Sequence, residues 1–382
     1  VNLFPMECTL HIGTEKTATT SIQLFLDANR HRLKSLGVHI PNSEKKGNHV
    51  YLSTAAYSPD KVDDLTMRLN LASSQERERY IQQCRKQLQL DKQCAESHGM
   101  RHCLFSNEHL QSRLRQHEEV ARLKEILSGL GYGPFRIILY IRDPVQVAGS
   151  LYSTLVIAGE TRKGPPPPDT PYYENICNHR QTIERWVDVF GKEALYVRLF
   201  EPKALINGSV VDDFCYVNKW QIKGSWERPQ PANERLSNHG VECLRYLNER
   251  IPRFRDGKTN SVRGDLSSYV RLHMTGPGYV PPETISEAYR SAFQSSNEWV
   301  REHYFPERAS LFTAPPPSVP TPTTITPEEM EKVADLIADI WESKQQALNR
   351  IAEQLGWWKS LKRTMAGLIP RTRRASARRT RI

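Results

Sequence analysis

Short apolar runs alternate with longer amphipathic stretches through the first half of the chain, and few folds accept that rhythm. Residues 8–13, Cys-Thr-Leu-His-Ile-Gly, read as a buried strand ending on glycine. After a polar turn from Thr14 to Thr20, Ile22, Phe25, Leu26 and Leu33 recur at helical spacing. Val38-His39-Ile40 reads as a second strand stopped by Pro41, 61–99 as a polar helix, 101–106 as a third strand and 112–129 as a charged helix. The run from Phe135 to Ile141 is the clearest strand; Asp143 can cap the helix that follows and Pro144 fits its first position. Ala194 to Leu199 adds another strand. Strands alternating with helices predict an α/β fold, a mostly parallel sheet flanked by helices. Ligands in such sheets sit beyond the carboxyl ends of the strands, so the polar segments 14–20, 106–109 and 142–150 should converge on one crevice.

Composition then divides the rest of the chain. Residues 1–313 read as the body, the Pro/Thr-rich stretch 314–328 as a linker, 329–356 as a C-terminal helix and 357–382 as a basic tail. The chain has 53 Lys and Arg against 43 Asp and Glu. Nine of those bases and none of the acids lie in 357–382, so the body is close to neutral and the charge is no sign of nucleic-acid binding. In the tail, Trp357, Trp358 and Leu361 interleave with Lys359, Lys362 and Arg363, which suits an anionic membrane surface; a solubilising tail is the other reading. Seven scattered cysteines without a CxxC pair argue against a disulfide scaffold or a zinc ribbon and for reduced thiols. No basic or long apolar leader is visible at the first residues, and no run approaches the roughly 18 apolar residues of a membrane span. The expectation is a cytoplasmic protein, peripheral at the inner face of the membrane where the first reading of the tail holds.

Two segments carry chemistry. Gly13-Thr14-Glu15-Lys16-Thr17-Ala18-Thr19-Thr20-Ser21 lies between a strand and a helix, where free N–H groups and the positive helix end suit an anion. It is not a Walker A loop, because Lys16 follows Gly13 by three residues with no glycine directly before it. In the second segment, Arg142 ends a strand where its guanidinium can grip a phosphate, and Ser150 follows eight residues later.

Together, HIGTEKTATTSIQ (11–23) and IILYIRDPVQVAGSLYS (137–153) resemble the two donor signatures of sulfotransferases that use 3′-phosphoadenylyl sulfate (PAPS). Residues 197–214, 233–237 and 295–305 are similar, more softly, to the bacterial branch acting on carbohydrates. The resemblance implies a P-loop-like α/β body over about 8–313, with a C-terminal helical extension. It implies that Thr17, Ala18, Thr19, Thr20 and Ser21 cradle the 5′-phosphosulfate, that Lys16 contacts the bridging oxygen, and that Arg142 and Ser150 hold the 3′-phosphate. Ala18 stands where the family usually has glycine.

The chemistry so implied is in-line transfer of a sulfuryl group to a hydroxyl of a carbohydrate, polysaccharide or glycolipid. No metal is required, and the nucleotide product is adenosine 3′,5′-bisphosphate (PAP). A neutral hydroxyl needs a general base. His49 lies just after the second strand, where the resemblance places a base; Glu108 and His109 lie at the end of the third. Trp186, Tyr172, Tyr173 and Trp226 are candidates to stack on sugars or to fill the core, and Lys45, Lys46, Arg162 and Lys163 to attract an anionic glycan. A P-loop kinase, which requires magnesium and ATP, and a non-catalytic nucleotide-binding membrane adaptor are the alternatives.

Overall fold

The computed structural model describes residues 5–43, 47–221, 226–228, 235–313 and 326–367, with side chains of the last helix described to Leu355. Lys45 and Lys46 lie outside the described residues. Five strands form one parallel sheet: β1 (Met6–Gly13), β2 (Val38–His39), β3 (His102–Ser106), β4 (Tyr132–Ile141) and β5 (Leu195–Leu199). Their spatial order is β2-β3-β1-β4-β5. Each coincides with an expected strand. β4 extends the apolar run back to Tyr132, while β2 is only two residues long.

β4 shows why the central strands read as continuous apolar runs. Ile137, Leu139 and Ile141 enter one core, and Ile138 and Tyr140 enter the other. α1 (Thr19–Ala28) covers the second face through Ile22, Phe25 and Leu26. The opposite face is covered by α2 (Val50–Ala55), α3 (Ser74–Ser97) and, past the short α4 (His109–Arg113), α5 (His117–Gly129). The helical run expected over 61–99 is interrupted, because Ser73 and Glu76 form a capping box that starts α3 afresh.

β4 leads directly into α6 (Pro144–Ile157), where Asp143 accepts from the Gln146 amide at 3.0 Å and Pro144 occupies the first turn. Then come α7 (Pro171–Cys177), α8 (His179–Phe190), α9 (Val210–Val217), α10 (Asn238–Arg250), α11 (Leu266–His273) and α12 (Glu283–Tyr304). The final helix, α13, runs from Pro327 to Gly367. The helix expected to end at 356 therefore continues through Gly356 into the segment read as tail. A helical glycine costs about 1 kcal/mol relative to alanine, too little to stop it.

The order of the strands decides where a ligand can sit. From β1 the chain turns toward β2 and β3, and from β3 it crosses to β4 on the other side, so β1 borders the switch point. At the carboxyl edge, the Asn107 amide donates to the His11 carbonyl at 2.9 Å and the Thr14 amide to the Tyr140 carbonyl at 2.8 Å. The loops after β1, β3 and β4 thus leave the sheet side by side.

Candidate active site

The loop after β1 owes its shape to unusual backbone. Gly13 sits at φ +99°, while Lys16 and Ala18 are left-handed at φ 66° and 57°. Ala18 caps α1 through its backbone alone: its carbonyl accepts from the Ser21 amide at 2.9 Å, and no side chain caps the helix. The amides of Thr19 and Thr20 come before that first helical bond, at the positive end of α1. Thr17 is buried and its hydroxyl donates to the Thr14 carbonyl at 2.6 Å, so it closes the loop rather than facing outward. Thr19 is buried, Ser21 half-buried and Thr20 exposed.

Lys16 crosses to the second segment. Its Nζ donates to Thr154 Oγ1 at 2.7 Å, and that hydroxyl donates to the Ser150 carbonyl at 3.1 Å. In the other direction, Arg142 Nη1 donates to the Lys16 carbonyl at 2.8 Å. The first motif is thus hydrogen-bonded to Arg142 of the second, 126 residues away, and to Thr154, one residue past the second motif on the same helix. Burial pushes the Lys16 pKa down; the Glu15 and Glu108 carboxylates oppose that shift, and Arg142 adds to it.

Arg142 is itself 8% exposed. Burial and the neighbouring Arg235 guanidinium hold its pKa down to about 10. A buried guanidinium with a second positive charge nearby is electrostatically suited to a nucleotide's phosphate. Arg235 comes from a short strand, Arg235–Leu236, paired with Thr275–Gly276. The sequence reading missed it, because its closeness to Arg142 comes from the fold. Fully buried His179, held neutral with a pKa of about 4 by burial, donates from Nε2 to the Arg142 carbonyl at 2.8 Å and fixes the strand end.

The candidate bases occupy three different environments. His49 is fully buried, its Nδ1 accepts from the Ser106 amide at 3.0 Å and its Nε2 donates to the Pro41 carbonyl at 2.9 Å. Burial lowers its pKa to about 4. With both ring nitrogens used, it ties the ends of β2 and β3 together and has no free lone pair for a substrate proton. Glu108 is half-buried, accepts from Gln23 Nε2 at 2.8 Å and from Asn48 Nδ2 at 3.3 Å, and lies against Gly13. A methyl on Gly13 would come within 3.1 Å of the Glu108 Cα. His109 is turned toward Glu15, with Nδ1 3.5 Å from Oε1. Burial alone would raise the Glu15 carboxyl, but His109, Ser112 and Tyr172 outweigh it and hold the pKa at about 2. The Tyr172 hydroxyl donates to Glu15 at 2.7 Å.

That contact ties Tyr172 to the loop. Trp186 is fully buried and stacks on Phe190, Tyr173 is buried among core residues, and Trp226 stacks on Phe25. Trp186 and Tyr173 are therefore core side chains, while Trp226 is half-buried. Arg162 and Lys163 are exposed. Among the described residues no three His, Cys, Asp or Glu side chains gather as a metal-ligand set, and no helix is long and apolar enough to cross a membrane.

No protein-family model matches the chain. No curated protein matches it. Among solved structures it is similar to a sulfotransferase from Alicyclobacillus acidocaldarius, at 21% identity and TM-score 0.37 over 64% of this chain and 92% of that one. It is also similar to the sulfotransferase domain from the curacin biosynthetic pathway, at 10% identity and TM-score 0.34 over 77% and 99%. A third likeness is to the sulfotransferase domain from the Synechococcus PCC 7002 olefin synthase, at 13% identity and TM-score 0.31 over 76% and 95%. At TM-scores this low the likeness carries no weight of its own.

Proposed function

We propose that the chain is a sulfotransferase that moves a sulfuryl group from PAPS to a hydroxyl acceptor, with a carbohydrate or glycolipid as the acceptor class. The observation that carries this reading is the mutual contact of the two donor segments, Arg142 to the Lys16 carbonyl and Lys16 to Thr154 beside Ser150. One nucleotide carrying phosphates at both ends suits that pairing. The first turn of α1 would hold the 5′-phosphosulfate, and Arg142, Ser150 and Arg235 the 3′-phosphate. The donor supplies a sulfuryl group on a phosphate leaving group. Lys16, an ammonium in a buried setting, stabilises negative charge that develops on the leaving oxygen.

Glu108 is the base in this reading. Gln23 and Asn48 orient its carboxylate, and the contact with Gly13 sets it beside the loop. Proton uptake there as the acceptor attacks needs no metal. His109 and Glu15 form a neighbouring pair that braces the loop.

Calorimetry tests the donor. PAP should bind far more tightly than ADP, without magnesium. Arg142→Ala should remove about 1.5–3 kcal/mol of charge-assisted bonding, a roughly 10–100-fold loss for PAP with little change for ADP. An equal loss for both would contradict the placement of the 3′-phosphate. Labelled-sulfate transfer to a panel of glycans, glycolipids and phenols then identifies the acceptor, and incorporation into phenols alone would overturn the carbohydrate class.

A further inference from the structure

α13 carries two apolar faces, and one is covered. Val333, Leu336 and Ile340 pack with Val241 and Leu244 of α10 and Val270 of α11. Two histidines clamp the same side: His239 Nδ1 lies 2.6 Å from Glu329 and His273 Nε2 2.8 Å from Asp339. The other face presents Met330, Ile337, Trp341, Leu348, Ile351 and Leu355, each more than half exposed. Past Lys344, among the described residues, no hydrogen bond or ion pair ties the helix to the body. A 41-residue helix is about 60 Å long, and a solitary stretch of it with an open apolar stripe is poorly stable in water.

We propose that this face pairs two copies of the chain as an antiparallel coiled coil. The stripe steps by three and four residues, through Met330, Ala334, Ile337 and Trp341, then Leu348, Ile351 and Leu355, with Lys344 as its one break. In sequence the same step reaches Trp358 and Met365. A sustained 3.5-residue period is the mark of a helix–helix seam, whereas a helix lying in a bilayer surface shows a broad apolar arc. Ala338, Gln345, Ala347 and Ala352, which flank the seam, are small or uncharged and let a second helix approach.

Charge sets the direction. Residues 327–342 carry six acids against Lys332 alone, and 359–367 carry Lys359, Lys362 and Arg363 with no acid. Parallel helices would set like charge against like; antiparallel helices set each acidic half against a basic half. A register that puts Trp341 against Ile351 of the second copy also puts Ile337 against Leu355. The contact is isologous, so it closes at a dimer.

Light scattering on the full chain should give a dimer, and Leu348→Glu, at a side chain outside the body, should give a folded monomer. Mixed under mild oxidation, Ala338→Cys and Ala352→Cys proteins should cross-link to each other, while Ala352→Cys alone should not. A monomeric wild-type chain at micromolar concentration would overturn the pairing, and self-linked Ala352→Cys would overturn its direction. Flotation of a monomer with phosphatidylcholine–phosphatidylserine vesicles, lost in Leu348→Glu, would assign the face to a lipid surface instead.

Discussion

His49 and Glu108 both sit at the carboxyl edge of the sheet, yet only one has lone pairs to spare. An ionised carboxylate offers about four acceptor sites, and two amide donors on Glu108 leave room for a substrate hydroxyl. His49 has two ring nitrogens and uses both on backbone groups. The two residues should therefore fail differently. Glu108→Gln should retain PAP affinity and lose about 10²–10⁴-fold in turnover, the usual range for a general base. His49→Ala should instead lower stability by about 2–4 kcal/mol, from a cavity and two unpaired buried backbone groups, read as a shift in the urea midpoint. Normal turnover in Glu108→Gln would remove it from the mechanism, and a stable but inactive His49→Ala would return His49 to it.

At the level of elements, the strand–loop–helix unit after β1 explains both what the sequence discloses and what it hides. All five strands are legible: β4 because a strand buried on both faces reads as a continuous apolar run, and β5 because Leu195, Val197 and Leu199 alternate with the more exposed Tyr196 and Arg198; the Asp143–Pro144 start of α6 is legible because capping is local. The link between Lys16 and Arg142 is legible only as a pair of motifs. The Glu15–His109–Tyr172 cluster and the Arg142–Arg235 pair are not, since each joins segments that meet only after folding. Ser73 and Glu76 carry a capping signal that is local and readable within 61–99. Ala18, like Lys16 in the same unit, takes the left-handed conformation that favours glycine, at a cost of about 1 kcal/mol. Ala18→Gly should leave stability level or raise it by up to about 1 kcal/mol with PAP binding retained, whereas a β-branched Ala18→Val should lower both. Gly13→Ala combines a positive φ with a 3.1 Å approach to Glu108, so it should cost about 1–3 kcal/mol and displace the base. Thermal melts and transfer rates of these three variants decide the point, and a stable, fully active Gly13→Ala would show that the close approach has no role.

The whole molecule should be acid-labile through its buried histidines. His11, His49 and His179 are fully buried, and desolvation is the first cause in each case, holding them neutral with pKa values of about 3, 4 and 4. In the unfolded chain each titrates near 6.5. As pH falls below 6.5, the unfolded chain therefore binds protons that the folded chain refuses. Each histidine then contributes a loss of about 1.4 kcal/mol per pH unit until its folded pKa is reached. Glu15 acts lower, with a folded pKa of about 2 below the ordinary carboxyl value, so its contribution is complete at neutral pH and drains away between roughly pH 4.5 and 2. Urea titrations from pH 7.5 to 4.5 should accordingly show stability falling steeply before the carboxylates titrate. His49→Gln separates this linkage from simple packing loss: it should be less stable than wild type at pH 7.5 but should lose stability more slowly on acidification, by one proton's worth of slope. An unchanged slope would mean that His49 is not held neutral by burial.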